Sequence, residues 1–261
     1  MTIAERVQSL PVDQAPVASV ADPPPTRLHA LARPKLESAR RSLEVRLIQR
    51  AQRRSIRVDA IQRGFDLVVG SVALVTTMPL MLLVAAAVRA DSPGPVIFRQ
   101  TRITRRGKSF ECLKFRTMVP DAESQLAAIL AQDDEARASF EADFKLMNDP
   151  RISRVGRFLR RSSLDELPQL VNVLRGEMSI VGPRPLVPEE LWRYGDYGQV
   201  VLQVRPGMTG PWQVNGRNAI SYTRRVRLDV DHALNRSLSA DIGIVLRTFR
   251  CIVNPGPEES R

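Results

Sequence analysis

Asp165 and Glu166 are adjacent carboxylates, and five guanidinium groups, those of Arg151, Arg154, Arg157, Arg160 and Arg161, come just before them in the chain. Guanidinium forks match phosphate oxygens two at a time, so these residue types point to an acid pair working on a phosphorylated molecule. Further cations recur downstream and upstream. Lys114 and Arg116 close a β-rich segment, and Arg184 sits between two prolines in Gly182-Pro183-Arg184-Pro185, a stiff loop able to hold a charge in place. Arg205 and Arg217 bound a Gly-rich stretch that contains Trp212. Each feature also has a bland reading as turn or surface, and Ser163 to Glu166 is a capping box whose acids suit a helix N-terminus. Together, a small acidic pair among phosphate-seeking cations is the composition expected for Mg²⁺-assisted phosphoryl transfer.

What positions these groups is read from the rest of the chain. A helix is expected to start at the acid pair, with Pro168 in its first turn, where amides lack internal partners, and Leu170, Val171, Val173 and Leu174 as its apolar positions. Val96 to Thr101 and Ser109 to Phe115 read as the strands of a hairpin joined through Arg105, Arg106, Gly107 and Lys108. An acidic helical stretch with a solvated face runs from Asp121 to about Met147 and stops at Asn148-Asp149-Pro150. His232 reads as an exposed helix residue. From Leu67 to Val88 there are 22 residues without charge, enough at about 1.5 Å per residue to cross a hydrocarbon core of roughly 30 Å. Pro79 predicts a sharp bend just past the middle, with Thr76 and Thr77 placed to satisfy carbonyls that it frees. Both flanks are basic, which favours keeping both ends on the cytoplasmic side. A re-entrant helix turning back at Pro79 satisfies both observations, with a simple crossing as the alternative.

The organisation that follows is a Pro-rich disordered tail over 1–34, a basic amphipathic segment over 35–63, the re-entrant membrane helix over 64–91, a catalytic domain over 92–252 and a short tail over 253–261. The basic segment fits a membrane surface or a solvated linker equally. The expected fold class is α+β, mainly α: one catalytic domain with a small β-hairpin and amphipathic interfacial helices. A net charge of +11 attracts polyanions, whether nucleic acid, phosphorylated substrates or anionic headgroups. A membrane-tethered basic scaffold is the rival reading from another class, but no nucleic-acid motif is present and aromatic content is 5%. Cys112 and Cys251 lie far apart without ligand-like neighbours, as buried thiols of a reduced compartment do. The first forty residues lack the apolar core of a secretory signal, so the catalytic part is expected to face the cytoplasm.

Five stretches carry a resemblance: Ser92 to Gln100 (SPGPVIFRQ), Lys114 to Met118 (KFRTM), Ser163 to Leu170 (SLDELPQL), Asn172 to Pro185 (NVLRGEMSIVGPRP) and Val204 to Arg217 (VRPGMTGPWQVNGR). In consistent order from about Arg63 to Phe249, they resemble the bacterial sugar transferases, the monotopic polyprenyl-phosphate phosphoglycosyl transferases. Phe144 to Arg151 (FKLMNDPR) is similar to the branch that starts exopolysaccharide or O-antigen units with a hexose-1-phosphate. The resemblance implies a UDP-sugar donor, an undecaprenyl phosphate acceptor, Mg²⁺ and a place at the bacterial inner membrane, with self-association left open. It implies that Asp165 attacks the sugar-linked phosphorus and that Glu166 serves the Mg²⁺ and acid/base part of the site. Arg160, Lys114, Arg184 and Arg217 match positions tied to phosphate or substrate binding. The family's membrane segment breaks at a proline commonly preceded by serine; here Pro79 is kept and Met78 replaces the serine. An inactive relative is the remaining alternative, against which the intact acid pair stands.

Overall fold

The computed structural model describes residues 27–253 except 144, 145, 147, 148 and 217–219, with side chains of the first helix described from Val58 onward. Most of the Pro-rich tail, the last eight residues, 254–261, and Arg217 therefore lie outside the described residues. The first element is a helix of 65 residues, α1 (Arg27–Asp91), whose helical turns run on through Pro79. An antiparallel hairpin follows, β1 (Ile97–Ile103) against β2 (Ser109–Phe115), with Phe98 opposite Lys114 and Arg102 opposite Phe110. This agrees with the expected strands. The acidic stretch is not one helix but two, α2 (Ala122–Gln132) and α3 (Asp134–Asp143), parted at Asp133, which adopts extended backbone. α2 buries no residue, in keeping with the solvated face expected of this stretch.

Beyond them come α4 (Arg154–Ser162), α5 (Gln169–Arg175), β3 (Ser179–Val181), α6 (Gly198–Val201), β4 (Gly207–Thr209), α7 (Tyr222–Asn235) and α8 (Leu238–Val253). β3 and β4 pair in parallel, and their approach depends on three glycines: a Cβ at Gly207 would lie 2.1 Å from the Gly182 nitrogen, and one at Gly210 2.2 Å from the Gly182 oxygen. Asn172 of α5 ties the hairpin to the helix, accepting from the Leu113 amide at 3.0 Å and donating to the Glu111 carbonyl at 2.7 Å. One apolar cluster joins α5, β3 and the hairpin through Leu170, Val173, Ile180 and Cys112. A second gathers Val200, Val204, Val226 and Val230 between α6 and α7. A third, of Val84, Val88, Phe115 and Leu159, joins α1 to the hairpin and α4.

The helix α1 is apolar enough over Val58–Asp91 to cross a membrane by length and composition. Its two halves both rest on the same domain: Phe65, Val69, Ala73 and Leu74 pack on the α5 cluster, and Met81, Val84, Ala85 and Val88 on the hairpin cluster. The opposite stripe, with Val68, Val72, Val75, Leu82 and Leu83, is exposed. The helix base is locked by polar contacts. Asp66, 1% exposed, accepts from the Ser179 hydroxyl and the Ile180 amide, each at 2.8 Å, and Arg63 donates to the carbonyls of Val173 and Leu174 at the end of α5. Replacing Asp66 by Ala strands two buried donors, so it is expected to cost about 2 kcal/mol of stability. Denaturation of the purified variant checks this, and an unchanged unfolding midpoint would contradict it.

Two expectations are corrected here. Pro79 deprives the Val75 carbonyl of its partner, yet Thr76 Oγ1 bonds the Val72 carbonyl at 2.9 Å and Thr77 Oγ1 the Ala73 carbonyl at 2.7 Å, one turn too early to replace it. His232 is buried, not exposed. It is 7% accessible, with Nε2 3.8 Å from Asp241 Oδ1, and burial pushes its imidazole down to about 4. Asp241 at the start of α8 lies against it, a neighbour that helical periodicity within α7 does not record. Cys112, at 1% exposed, is the buried thiol expected, and neither cysteine is in a disulfide.

Candidate active site

The acidic pair lies on a single 3-10 turn, Leu164–Glu166, between α4 and α5. The turn presents it because the leucines on either side, Leu164 and Leu167, pack into the cluster of Val84, Val88, Phe115 and Leu159 and leave the acids on the other side. Ser163 does not cap this turn with its side chain, as the capping-box reading required. It ends α4 in the left-handed region, at φ 56 and ψ 17, and its amide bonds back to the Arg160 carbonyl. A non-glycine residue held there is strained, and the strain sits directly before the acid pair.

Asp165 is 9% exposed, and burial pushes its carboxyl up to about 6; Lys114 and Arg160 oppose that shift, and the charge of Glu166 adds to it. Lys114 Nζ donates to Glu166 Oε1 at 2.6 Å, reaching across from β2. Arg160 Nε donates to Thr117 Oγ1 at 2.9 Å, which fixes the guanidinium beside the pair. Of the five upstream arginines, only Arg160 reaches Asp165. Arg151 is spent on Asp149 in a buried ion pair at 2.6 Å, Arg157 bonds the Ile152 carbonyl, and Arg154 and Arg161 are exposed. Arg116 is also taken up by the fold: its guanidinium is buried and donates to the Ser92 and Pro93 carbonyls at 2.7 and 2.9 Å, clamping the turn that follows α1.

A cleft beside the pair is lined by Lys114, Glu166, Arg184, Trp212 and Gln213, and by Arg102 and Gln169, which sequence reasoning did not single out. Arg102 was detectable in part, because alternation along β1 puts it on the same sheet face as Phe98 and Gln100, opposite the Lys114 strand. It donates to Gln100 Oε1 and, at 2.8 Å, to the Pro185 carbonyl. The loop that carries Arg184 is thereby held at successive residues. The Pro183 carbonyl accepts from the Gly207 amide, the Leu186 carbonyl from the Ile103 amide, and the Arg184 amide donates to Asp229. Asp229 itself is fully buried, receives the Tyr194 hydroxyl at 2.8 Å, and is pushed by burial up to about 7. The structure thus brings Glu166, Lys114 and Arg184 together around one cleft, sets Asp165 and the Arg160 charge that acts on it beside that cleft, places Arg116 outside it, and leaves Arg217 outside the described residues.

The oxygen donors that a divalent cation would find are the two adjacent carboxylates. Among the described residues no group of three or more His, Cys, Asp or Glu side chains is placed to hold a metal. Mg²⁺ needs no such cage, since one or two carboxylates completed by substrate phosphates and water are its usual site.

Residues 57–255 match the family model described as bacterial sugar transferase. The chain belongs to the bacterial sugar transferase family. Within it, 194 residues are 50% identical to an uncharacterized sugar transferase of Haemophilus influenzae, covering 74% of this chain and 41% of that protein. The undecaprenyl-phosphate galactose phosphotransferase of Salmonella typhimurium is 48% identical over 74% of this chain and 40% of its own length. The exopolysaccharide production protein ExoY of Rhizobium meliloti is 46% identical over 73% of this chain and 84% of its own. This sugar transferase chain therefore spans about two fifths of the length of the first two relatives and most of the third.

Proposed function

We propose that this protein transfers a sugar-1-phosphate, a hexose-1-phosphate, from a UDP-sugar to undecaprenyl phosphate and releases UMP, as the first membrane step of exopolysaccharide or related glycoconjugate synthesis. The observation that carries the reading is Asp165, a buried carboxylate acted on by Lys114, Glu166 and Arg160 and next in sequence to the Glu166 that lines a cation-rich cleft, in a domain seated on an exposed apolar helix. In the first half-reaction an Asp165 carboxylate oxygen bonds to the sugar-bearing phosphorus, and the bond from that phosphorus to the bridging oxygen breaks, its electron pair leaving with UMP. In the second, an acceptor phosphate oxygen bonds to the same phosphorus and the aspartyl oxygen leaves. A carboxylate suits this work because it is largely ionised at neutral pH and divides one displacement into two. Lys114, Arg102 and Arg184 offset the repulsion between anionic partners. Mg²⁺, held by Asp165 and Glu166, supplies further charge neutralisation when bound.

The seating of α1 supports a reading of the membrane geometry. A helix crossing a bilayer away from a cytoplasmic domain touches that domain at one end, but here both halves of the apolar helix pack on it. That seating supports keeping both ends on one side, which the basic flanks also favour. We read the helix as re-entrant with Pro79 at its bend, and the domain as facing the cytoplasm at the inner membrane. The deciding experiment incubates the protein with a UDP-sugar labelled in the hexose, with Mg²⁺ and without acceptor. A labelled phosphosugar covalently attached to the peptide containing Asp165, discharged on adding undecaprenyl phosphate, is expected. Transfer that proceeds with no adduct on that peptide would exclude the two-step route.

A further inference from the structure

We propose that Trp212 and Gln213 form a hydroxyl-recognition pair for the nucleotide-sugar donor. The inference rests on the sugar-phosphate transfer reading and deepens it. Both residues line the cleft with Lys114 and Glu166. Trp212 is 7% exposed, and its ring is pinned by two cations, the Arg225 guanidinium 4.3 Å and the Arg184 guanidinium 5.8 Å from the ring centroid. That stacking fixes where the indole N–H points. The Gln213 amide is oriented as well: its Nε2 donates to the Met208 carbonyl at 3.1 Å, which commits the nitrogen and leaves Oε1 as the free end.

Neither remaining polar atom has a hydrogen-bond partner. Trp212 Nε1 and Gln213 Oε1 are both buried and unpaired within the protein. Buried polar groups are normally satisfied, and leaving one unpaired costs about 1 to 3 kcal/mol. Here the deficit is complementary, a donor without an acceptor next in sequence to an acceptor without a donor. One group satisfies both, because a hydroxyl accepts through its lone pair and donates through its hydrogen at once. A donor hydroxyl takes that place on binding. Phosphate does not fit the pair, since it offers Gln213 no proton. The nearby cations Lys114, Arg102 and Arg184 provide for phosphate instead.

Two hydroxyl sources exist on a nucleotide sugar, the hexose and the ribose, and the test separates them. Transfer is measured as kcat/KM for wild type and Trp212→Phe with an intact UDP-hexose, with monodeoxy-hexose analogues and with 2′- and 3′-deoxyribose analogues. Phe keeps an aromatic face for Arg225 and removes the N–H together with part of the ring, so its fold is checked by its melting curve. The variant is expected to lose about 10- to 100-fold on the intact donor. One deoxy analogue is expected to suffer a like loss with wild type and no further loss with the variant; its place in the hexose or ribose series names the hydroxyl. Gln213→Met should reproduce the pattern if Trp212→Phe fails to fold, as judged by its melting curve. An equal loss against every analogue, or none, would overturn the pair. Absence of any transfer by wild type would instead overturn the transferase reading itself.

Discussion

Asp165→Asn is expected to lower UMP release from a UDP-sugar by at least about a thousandfold, in the presence of Mg²⁺ and undecaprenyl phosphate. The amide keeps the shape of the carboxylate but has no anionic oxygen to bond to phosphorus. Because Asp165 is buried and the replacement is isosteric, the melting temperature of the variant should stay near that of wild type. The pH profile is an independent arm of the same prediction. Burial raises the carboxyl to about 6, and only the ionised form is nucleophilic. Activity is thus present above pH 6 and lost as pH falls through that value, with kcat/KM dropping tenfold per unit below it. Full turnover by Asp165→Asn removes this side chain from the chemistry, and a profile flat down to the ordinary carboxylate range near 4 shows that burial does not set its ionisation in the working enzyme.

Gly156→Ala is the second large effect. A Cβ at Gly156 would lie 2.0 Å from the Thr117 carbonyl oxygen and 2.8 Å from its Cα, backbone atoms that cannot rotate aside. The contact is close because α4 begins against the strand exit, where the Ser153 amide donates to the same Thr117 carbonyl at 3.0 Å and Arg160 holds the Thr117 hydroxyl. Forcing the two apart is expected to cost about 3 kcal/mol and to lower the melting temperature by several degrees. It should also lower turnover beyond the stability loss, since Arg160 moves with α4 relative to Asp165. Gly243→Ala makes the contrast: nothing lies within 4 Å of its Cβ position, and alanine in a helix is favoured, so stability should be unchanged or slightly raised. Equal stability of the two variants would show that the crossing of α4 over Thr117 is not tight.

Much of this was legible because the signals are local. The hairpin over Ile97–Phe115 follows from alternation and a glycine turn, the apolar helix from an uncharged run, and the acid pair from the cations that surround it in the sequence. What was not legible depends on partners distant in sequence. Arg116 and Lys114 are two residues apart in one strand segment, yet one clamps the Ser92 turn and the other meets Glu166. Asp229 reads as one acid among many until Tyr194 and the Arg184 amide close on it.

The amino-acid order by itself determined the family, the adjacent acid pair proposed to act in catalysis and the presence of a membrane-length apolar segment, since each is written in contiguous residue types whose chemistry does not depend on what packs against them. The tertiary structure alone decided which cations serve the cleft, how the proline-flanked loop is held, and that both halves of the apolar helix rest on one domain. Those outcomes depend on burial and hydrogen-bond partners brought together from up to more than a hundred residues away, as in the contacts of Asp66 with Ser179 and Ile180.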